Sequence, residues 1–470
     1  MSDKKNTLLK PAPVTRRSFL TAASLAACGI PLHAQRLAPV RPNHSCVIVG
    51  AGLAGLTAAY RLSAAGWKVT VIEARNRAGG RAWSYRFPQA PGLSCEMGGE
   101  WIGKEHKQML ALTSELKVEL EPHAYRVWLL QHDRLHAPGN WGFSEKSRTA
   151  WKQFIEQYEK YDDHDKRRLD EYDWWTWLGK IGMTSEDRRI REIMDSTDYG
   201  ESTRDVSAFV AADEYVNTDY MNPNSTDEMD YHVRGGNSVL VKALVDRLPQ
   251  GSLHLNAPVT AIVQHAAKSS VVVTTANETF TADTCIFAAP ASVLNSIHFE
   301  PALSSFKSLA ADELEYGRII KTQMLFDKRF WPAEDFSLMS DETSHQYYHS
   351  TLGQKGTHGI LCSYACGDKA DVLAAQSKAD RQAQLIRDLA AVSPLAASSL
   401  IDTFDQPWQD DPWVHGAYAI YRPGQWFRIR PLLQEPHGKV LFAGEHLGEW
   451  QGFMEGAVGT GEIAARHLLH

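Results

Sequence analysis

Ser45-Cys46-Val47-Ile48-Val49-Gly50-Ala51-Gly52-Leu53-Ala54-Gly55 is the stretch whose reading decides the fold. The five residues before Gly50 form the near-continuous apolar run of a strand covered on both faces, and the glycines follow without a spacer. Residues 56–65 have helical composition, Gly66 can end that helix, and the apolar stretch 69–72 reads as a second strand that delivers Glu73. Strand, glycine turn, helix, strand and terminal acid predict a dinucleotide-binding βαβ unit. Gly50, Gly52 and Gly55 then serve the tight turn, the approach of the backbone to a pyrophosphate, and the close packing of helix on strand. The helix N-terminus offers free N–H groups to the phosphates, and Glu73 accepts hydrogen bonds from ribose hydroxyls. A bare GxGxxG is weak evidence, because such glycines often serve plain turns, so the ordered elements around it carry the reading. The pattern makes the chain α/β and leaves NAD and FAD open.

Two more glycine pairs follow. Glu73-Ala74-Arg75-Asn76-Arg77-Ala78-Gly79-Gly80-Arg81 sets glycines among arginines, and Glu96-Met97-Gly98-Gly99-Glu100-Trp101-Ile102-Gly103 comes shortly after. Near the other end, Val440-Leu441-Phe442-Ala443-Gly444-Glu445 reads as a strand ending in glycine and acid, and Gly452-Phe453-Met454-Glu455-Gly456-Ala457 opens a final helix. Together these segments resemble the flavin-containing amine oxidases, which include monoamine, polyamine and L-amino-acid oxidases. The resemblance implies FAD, with Arg75, Gly80 and Arg81 at its phosphates and Gly98, Gly99 and Glu100 passing near the isoalloxazine. It also implies that Glu445 binds the ribityl or phosphate region and that the helix end at Met454 faces the flavin N1/C2=O edge. A helix N-terminus there favours the negative charge of the reduced ring.

Between these ends, 231–247 carries Arg234-Gly235-Gly236 before an apolar helical stretch, and 253–259, 271–274 and 279–286 read as strands. Their order resembles the family's middle return to the cofactor domain, with Val259 near the adenine. The expected fold is therefore α/β locally and α+β overall. A discontinuous Rossmann-type FAD-binding domain is drawn from 45–103, 230–300 and 437–470. A mixed-sheet and helical substrate domain is drawn from 104–229 and 301–436.

Amine oxidation requires a neutral amine, a C–H aimed at the flavin, a dry pocket and a route for oxygen, but no protein nucleophile. Lys321, at the start of the strand-like 322–326, matches the family lysine near the flavin N5, where a fixed cation stabilises developing superoxide. Taken by itself it would read as a surface lysine. Trp408 lies nine residues before Ala417, a spacing similar to that between a flavin-packed tryptophan and the flavin-linking cysteine of monoamine oxidases. Alanine at 417 makes the FAD non-covalent on that reading. Tyr418 and Phe453 match the two walls of the family's aromatic cage, which orients a narrow amine. Phe453 departs from the tyrosine of monoamine oxidases and loses its hydroxyl.

Substrate choice stays open between a primary amine and an L-amino acid. A buried carboxylate needs a cation to clamp it, and Arg204 and Arg422 are the candidates. Glu100 either attracts a cationic amine or holds a loop. Two other readings share the FAD fingerprint: a flavin desaturase or protoporphyrinogen-type oxidase, and a non-catalytic FAD-binding protein. Neither needs the Trp408 spacing or the Tyr418 and Phe453 pair.

The 470 residues are 43% hydrophobic and 22% charged, which suits two linked globular domains, and the net charge of −7 argues against a general nucleic-acid binder. Six cysteines are scattered without CxxC, so no metal site is read, and Cys362 and Cys366 read as core thiols. Thr15-Arg16-Arg17-Ser18-Phe19-Leu20 resembles a twin-arginine signal, followed by the apolar run 20–30, so 1–34 is set aside as a leader for the twin-arginine translocase. Cleavage after Ala34 gives a periplasmic or secreted protein, whereas lipidation at Cys28 gives an anchored one. The remaining expected partners are O2, a small amine or amino acid and, as family members form homodimers, a second copy.

Overall fold

The computed structural model describes residues 44–139, 141–215, 229–265 and 269–470, so the leader read over 1–34, with Cys28, lies outside the described residues. Ser45–Val49 is the central strand of a five-stranded sheet, in the order Leu253–His254, Lys68–Ile72, Ser45–Val49, Thr284–Phe287, Val440–Phe442. Every pairing in it is parallel. Such a sheet must be covered on both faces, and alternate residues of the central strand show it. Cys46 and Ile48 enter a core shared with helices Leu53–Ala64 and Met454–Leu469, while Val47 and Val49 enter the opposite core. The two helices touch closely: a Cβ at Gly461 would lie 2.3 Å from the Ala54 carbonyl oxygen.

Helix Lys107–Leu116, which the sequence reading placed in the substrate domain, packs into the core of the parallel sheet. Its N-terminus is capped by Glu455, whose carboxylate accepts from Gln108 N (2.9 Å) and Met109 N (2.8 Å). Two strand expectations change. The single strand read over 253–259 is two, because Asn256 takes φ 54° and the chain turns across the end of Lys68–Ile72 before Val259–His265 begins. The strand read over 279–286 breaks at Asp283, whose carboxylate accepts from Ser45 N and Oγ (2.7 and 2.8 Å). Thr279–Ala282 therefore stays in a four-stranded sheet while Thr284–Phe287 joins the parallel one.

The other large layer is a mixed seven-stranded sheet in the order Leu400–Pro407, Ile319–Phe326, Gly359–Cys366, Gln346–His349, Phe336–Ser340, Arg126–Gln131, Arg134–His136. Ile319–Phe326 and Gly359–Cys366 are buried throughout, and Cys362 and Cys366 are free core thiols, as read from the sequence. Residues 145–215 form five helices, four of them started by Ser144, Asp162, Asp173 or Thr184 side chains that accept from the backbone three residues on.

Candidate active site

A cavity of about 1360 Å³ runs from the carboxyl ends of the parallel strands to the face of the seven-stranded sheet. It exceeds the roughly 300–1,000 Å³ of an ordinary small-molecule site, and its position outside the strand ends is where doubly wound sheets bind nucleotides. Val49, Gly50, Gly52, Glu73, Arg75 and Val259 line one end. Gly50 has φ +103°, and a Cβ there would meet the Ala288 backbone at 3.1 Å. A Cβ at Gly55 would lie 2.0 Å from the Gly50 carbonyl oxygen, so that helix cannot pack otherwise. Gly52, which caps helix Leu53–Ala64, faces open space, leaving the helix N-terminus clear for a phosphate. Glu73 is fixed at the strand end by Ala51 N (2.8 Å) and Arg75 N (2.9 Å), and Arg75 pairs with Asp411 at 2.6 Å. This cradle fits a dinucleotide: clear N–H donors for phosphates and a held carboxylate for a ribose.

The middle of the cavity is built around Gly98. A Cβ there would lie 1.7 Å from the Arg81 carbonyl oxygen and 3.3 Å from the Trp408 ring, and Trp408 Nε1 donates to Met97 O (2.8 Å). Gly99 faces Met454, whose Cγ would lie 3.0 Å from an added Cβ. Glu445 is more heavily engaged than expected. One oxygen accepts from Arg81 (2.9 Å) and Ala419 N (3.3 Å) and the other from Gly452 N (2.8 Å), so the acid clips the last loop onto Arg81 at the cavity wall. Gly80 and Gly444 line the same region.

Lys321 is only 5% exposed and reaches this region from the adjoining sheet. Its Nζ donates to Gly98 O (2.9 Å) and to Glu100 Oε2 (3.1 Å), and the same Oε2 accepts from Tyr348 OH (2.5 Å). Burial pulls the ammonium pKa down, but Glu100, joined by Cys362 and Glu96, more than offsets it, and Lys321 stands above the usual lysine range. Glu100 is thereby a partner of Lys321, an outcome neither of the two sequence alternatives contained.

Tyr418 and Phe453 also line the cavity, and an added Cβ at Gly452 would lie 3.2 Å from the Tyr418 ring. Tyr418 OH donates to Thr197 O (2.6 Å) and lies 2.6 Å from Tyr364 OH. Phe453 packs on His106 and Trp450. Tyr348, Tyr364 and Thr197 were not read from the sequence. The two tyrosines reach the site by strand register, with Tyr364 opposite Lys321 and Tyr348 opposite Cys362, which no local motif records. The two proposed carboxylate clamps are elsewhere. Arg422 is paired with Asp205 (3.0 Å) and Glu315 (2.6 Å), Arg204 stacks on Trp175 beside Glu192, and neither lines the cavity.

Residues 53–469 match the family model described as flavin containing amine oxidoreductase. The chain is 26% identical over 459 residues to the flavin-containing amine oxidase B of Homo sapiens, covering 90% of this chain and 86% of that protein. It is 25% identical over 461 residues to the L-amino acid dehydrogenase of Synechocystis, covering 90% and 94%. Its fold is that of cyclohexylamine oxidase from Brevibacterium oxydans IH-35A, with a TM-score of 0.80, 23% identity, and coverage of 91% of this chain and 99% of that one. The chain belongs to the flavin-containing amine oxidoreductase family, and FAD is its cofactor.

Proposed function

We propose that the protein is an oxidase that deaminates a primary amine, yielding an imine, then an aldehyde and ammonia, with O2 reduced to H2O2. The observation that carries this reading is the buried wall around Lys321. Tyr348 and Tyr364 are buried, Tyr418 and Trp101 stand beside them, and the lysine is already paired with Glu100. Among the described residues, the other cationic side chains toward this end are Lys104, Arg126 and Arg148, all exposed. A substrate carboxylate brought against that wall would have no free buried cation, a costly arrangement, whereas a neutral amine with an apolar body suits it. The amino-acid reading is weakened accordingly.

Bound FAD supplies the hydride acceptor. In this reading Tyr418 and Phe453 orient the amine, the aromatic wall excludes water, and Lys321 holds a positive charge where oxygen becomes reduced. A peroxide-coupled screen of the FAD-loaded protein against primary amines, polyamines and L-amino acids tests it. Peroxide is expected with apolar primary amines, and a preference for amino acids would reverse the assignment.

Ala417 lines the cavity and presents only a methyl group, which supports non-covalent FAD. Acid precipitation is therefore expected to leave colourless protein and release unmodified FAD, and a yellow pellet would show a covalent link. Export by the twin-arginine route is proposed on Arg16 and Arg17. Replacing both by lysine is expected to retain folded, yellow protein in the cytoplasm, and undiminished periplasmic activity would exclude that route.

A further inference from the structure

Beside Glu100, the partner of Lys321, lies a second, much smaller cavity of about 20 Å³. Glu100, Trp101, His123 and Tyr125 line both cavities, and Glu100 is also the carboxylate that holds Lys321. Five residues lining the small cavity carry a buried polar atom with no protein partner: Ser94 Oγ, Glu96 Oε2, Trp101 Nε1, His232 Nδ1 and Ser350 Oγ. Buried polar groups are otherwise almost always bonded, and a water needs on the order of 10–15 Å³ and two to four polar partners. This chamber offers both. It also has a way out, because His232 Nε2 lies 3.1 Å from Glu121 Oε2 and Glu121 is partly exposed beside Arg234.

We infer that this chamber holds water and, with Glu100, Glu96, His232 and Glu121, forms a proton relay from the amine-binding cavity to solvent. The inference rests on the proposed amine substrate. An amine arrives as R–CH2–NH3⁺, and its C–H is oxidised only from the neutral form. In the relay step one N–H bond breaks, its electron pair stays on nitrogen, and the proton passes by Glu100 and the chamber water to Glu96. From there it leaves through the imidazole of His232 to Glu121. No electrons move in this step; the hydride that follows is the family's own reaction.

Glu96 has the acidity the task requires. Burial, and next the charge of Glu100, push it up to about 7, against the opposing effects of Ser84, Asn237 N–H and Lys321. Three other groups near it, two thiols and a hydroxyl, and two of the nearby histidines are shifted away from neutrality. Burial raises the thiols of Cys95 and Cys362 and the hydroxyl of Tyr348, and lowers His123 and His349 to about 4. Glu96 Oε1 is held by Ser84 Oγ (2.7 Å) and Asn237 N (3.0 Å), leaving Oε2 for the chamber.

The test uses the FAD-loaded protein in two measurements. Infrared difference spectra taken across about pH 5.5 to 8.5 are expected to show a buried carboxyl losing its proton near neutrality, with the band absent in Glu96→Gln. Anaerobic flavin bleaching by a primary amine is expected to accelerate with pH through the same midpoint. Glu96→Gln removes that inflection and slows bleaching about tenfold or more above it, and Ser350→Val, which fills the chamber, does the same with Glu96 intact. An unshifted pH profile in Glu96→Gln, or no carboxyl titrating near neutrality in the wild type, overturns the relay. If Glu96→Gln does not fold, the wild-type spectrum and Ser350→Val still decide. If no amine bleaches the flavin, the proposed substrate class fails, while the infrared titration still decides whether Glu96 exchanges its proton near neutrality.

Discussion

Lys321→Met is expected to slow reoxidation of the flavin by oxygen about a hundred- to a thousandfold, the usual loss of about 2.7–4 kcal/mol when a fixed electrostatic stabiliser leaves a dry site. Flavin reduction by substrate should change by less than about tenfold, or 1.4 kcal/mol, because the amine is oriented by other groups. Stopped-flow absorbance separates the halves: anaerobic bleaching first, then recovery on mixing with oxygenated buffer. Met keeps the length of the stem but leaves Glu100 buried without its cation, with only Tyr348 to hold it. The double variant Lys321→Met with Glu100→Gln removes that orphaned charge. If the reoxidation defect persists in the double variant, the missing cation causes it; if it disappears, the cause was the stranded carboxylate. Unchanged reoxidation with impaired bleaching would make Lys321 a substrate-side residue.

Arg191→Met is expected to cost about 3–5 kcal/mol of stability, as breaking one side of a buried ion pair does. Arg191 is 0% exposed within helix Ser185–Tyr199, donates from Nε to Asp195 Oδ2 (3.0 Å), and pairs with the other carboxylate oxygen at 3.0 Å from Nη2. Asp195 also accepts from Trp174 Nε1 (2.7 Å), and the guanidinium lies over Trp151 and Tyr215. Burial already pushes Asp195 up to about 6, with Arg191 the largest opposing influence. Without the arginine the folded-state pKa rises further above its unfolded value of about 3.9. An acid raised by folding costs stability only where the unfolded chain is ionised, so the deficit is smallest near pH 4 and grows through pH 6 and beyond. Thermal unfolding of wild type and variant at several pH values checks both size and slope. A deficit that shrinks as pH rises would show that the carboxylate is not the destabilising group.

The cofactor end of the site was legible in the sequence because its constraints are local. Gly50 takes a positive φ and Gly55 packs on the Gly50 carbonyl five residues earlier, while Glu73 follows from strand length alone. Glu445 and Glu455 show the limit of such reading. Both sit in motifs that name the family, yet one clips a loop to Arg81 and the other caps a helix more than three hundred residues earlier in the chain. Arg204 and Arg422 were plausible clamps by type and spacing, and the fold gave them to surface acids instead.

By itself the sequence determined the βαβ unit, the flavin family and the identity of Lys321, Trp408, Tyr418 and Phe453 as cavity residues, since each lies in a short segment with a characteristic spacing. Only the tertiary structure decided the company they keep. Glu100 meets Lys321 across 221 positions, Tyr364 meets Tyr418 across 54, and the chamber around Glu96 gathers side chains from four separate segments of the chain. Ion pairs and hydrogen bonds act over a few ångströms whatever the separation along the chain. Their partners are therefore set by strand register and by which strands meet, and neither is written in any one local motif.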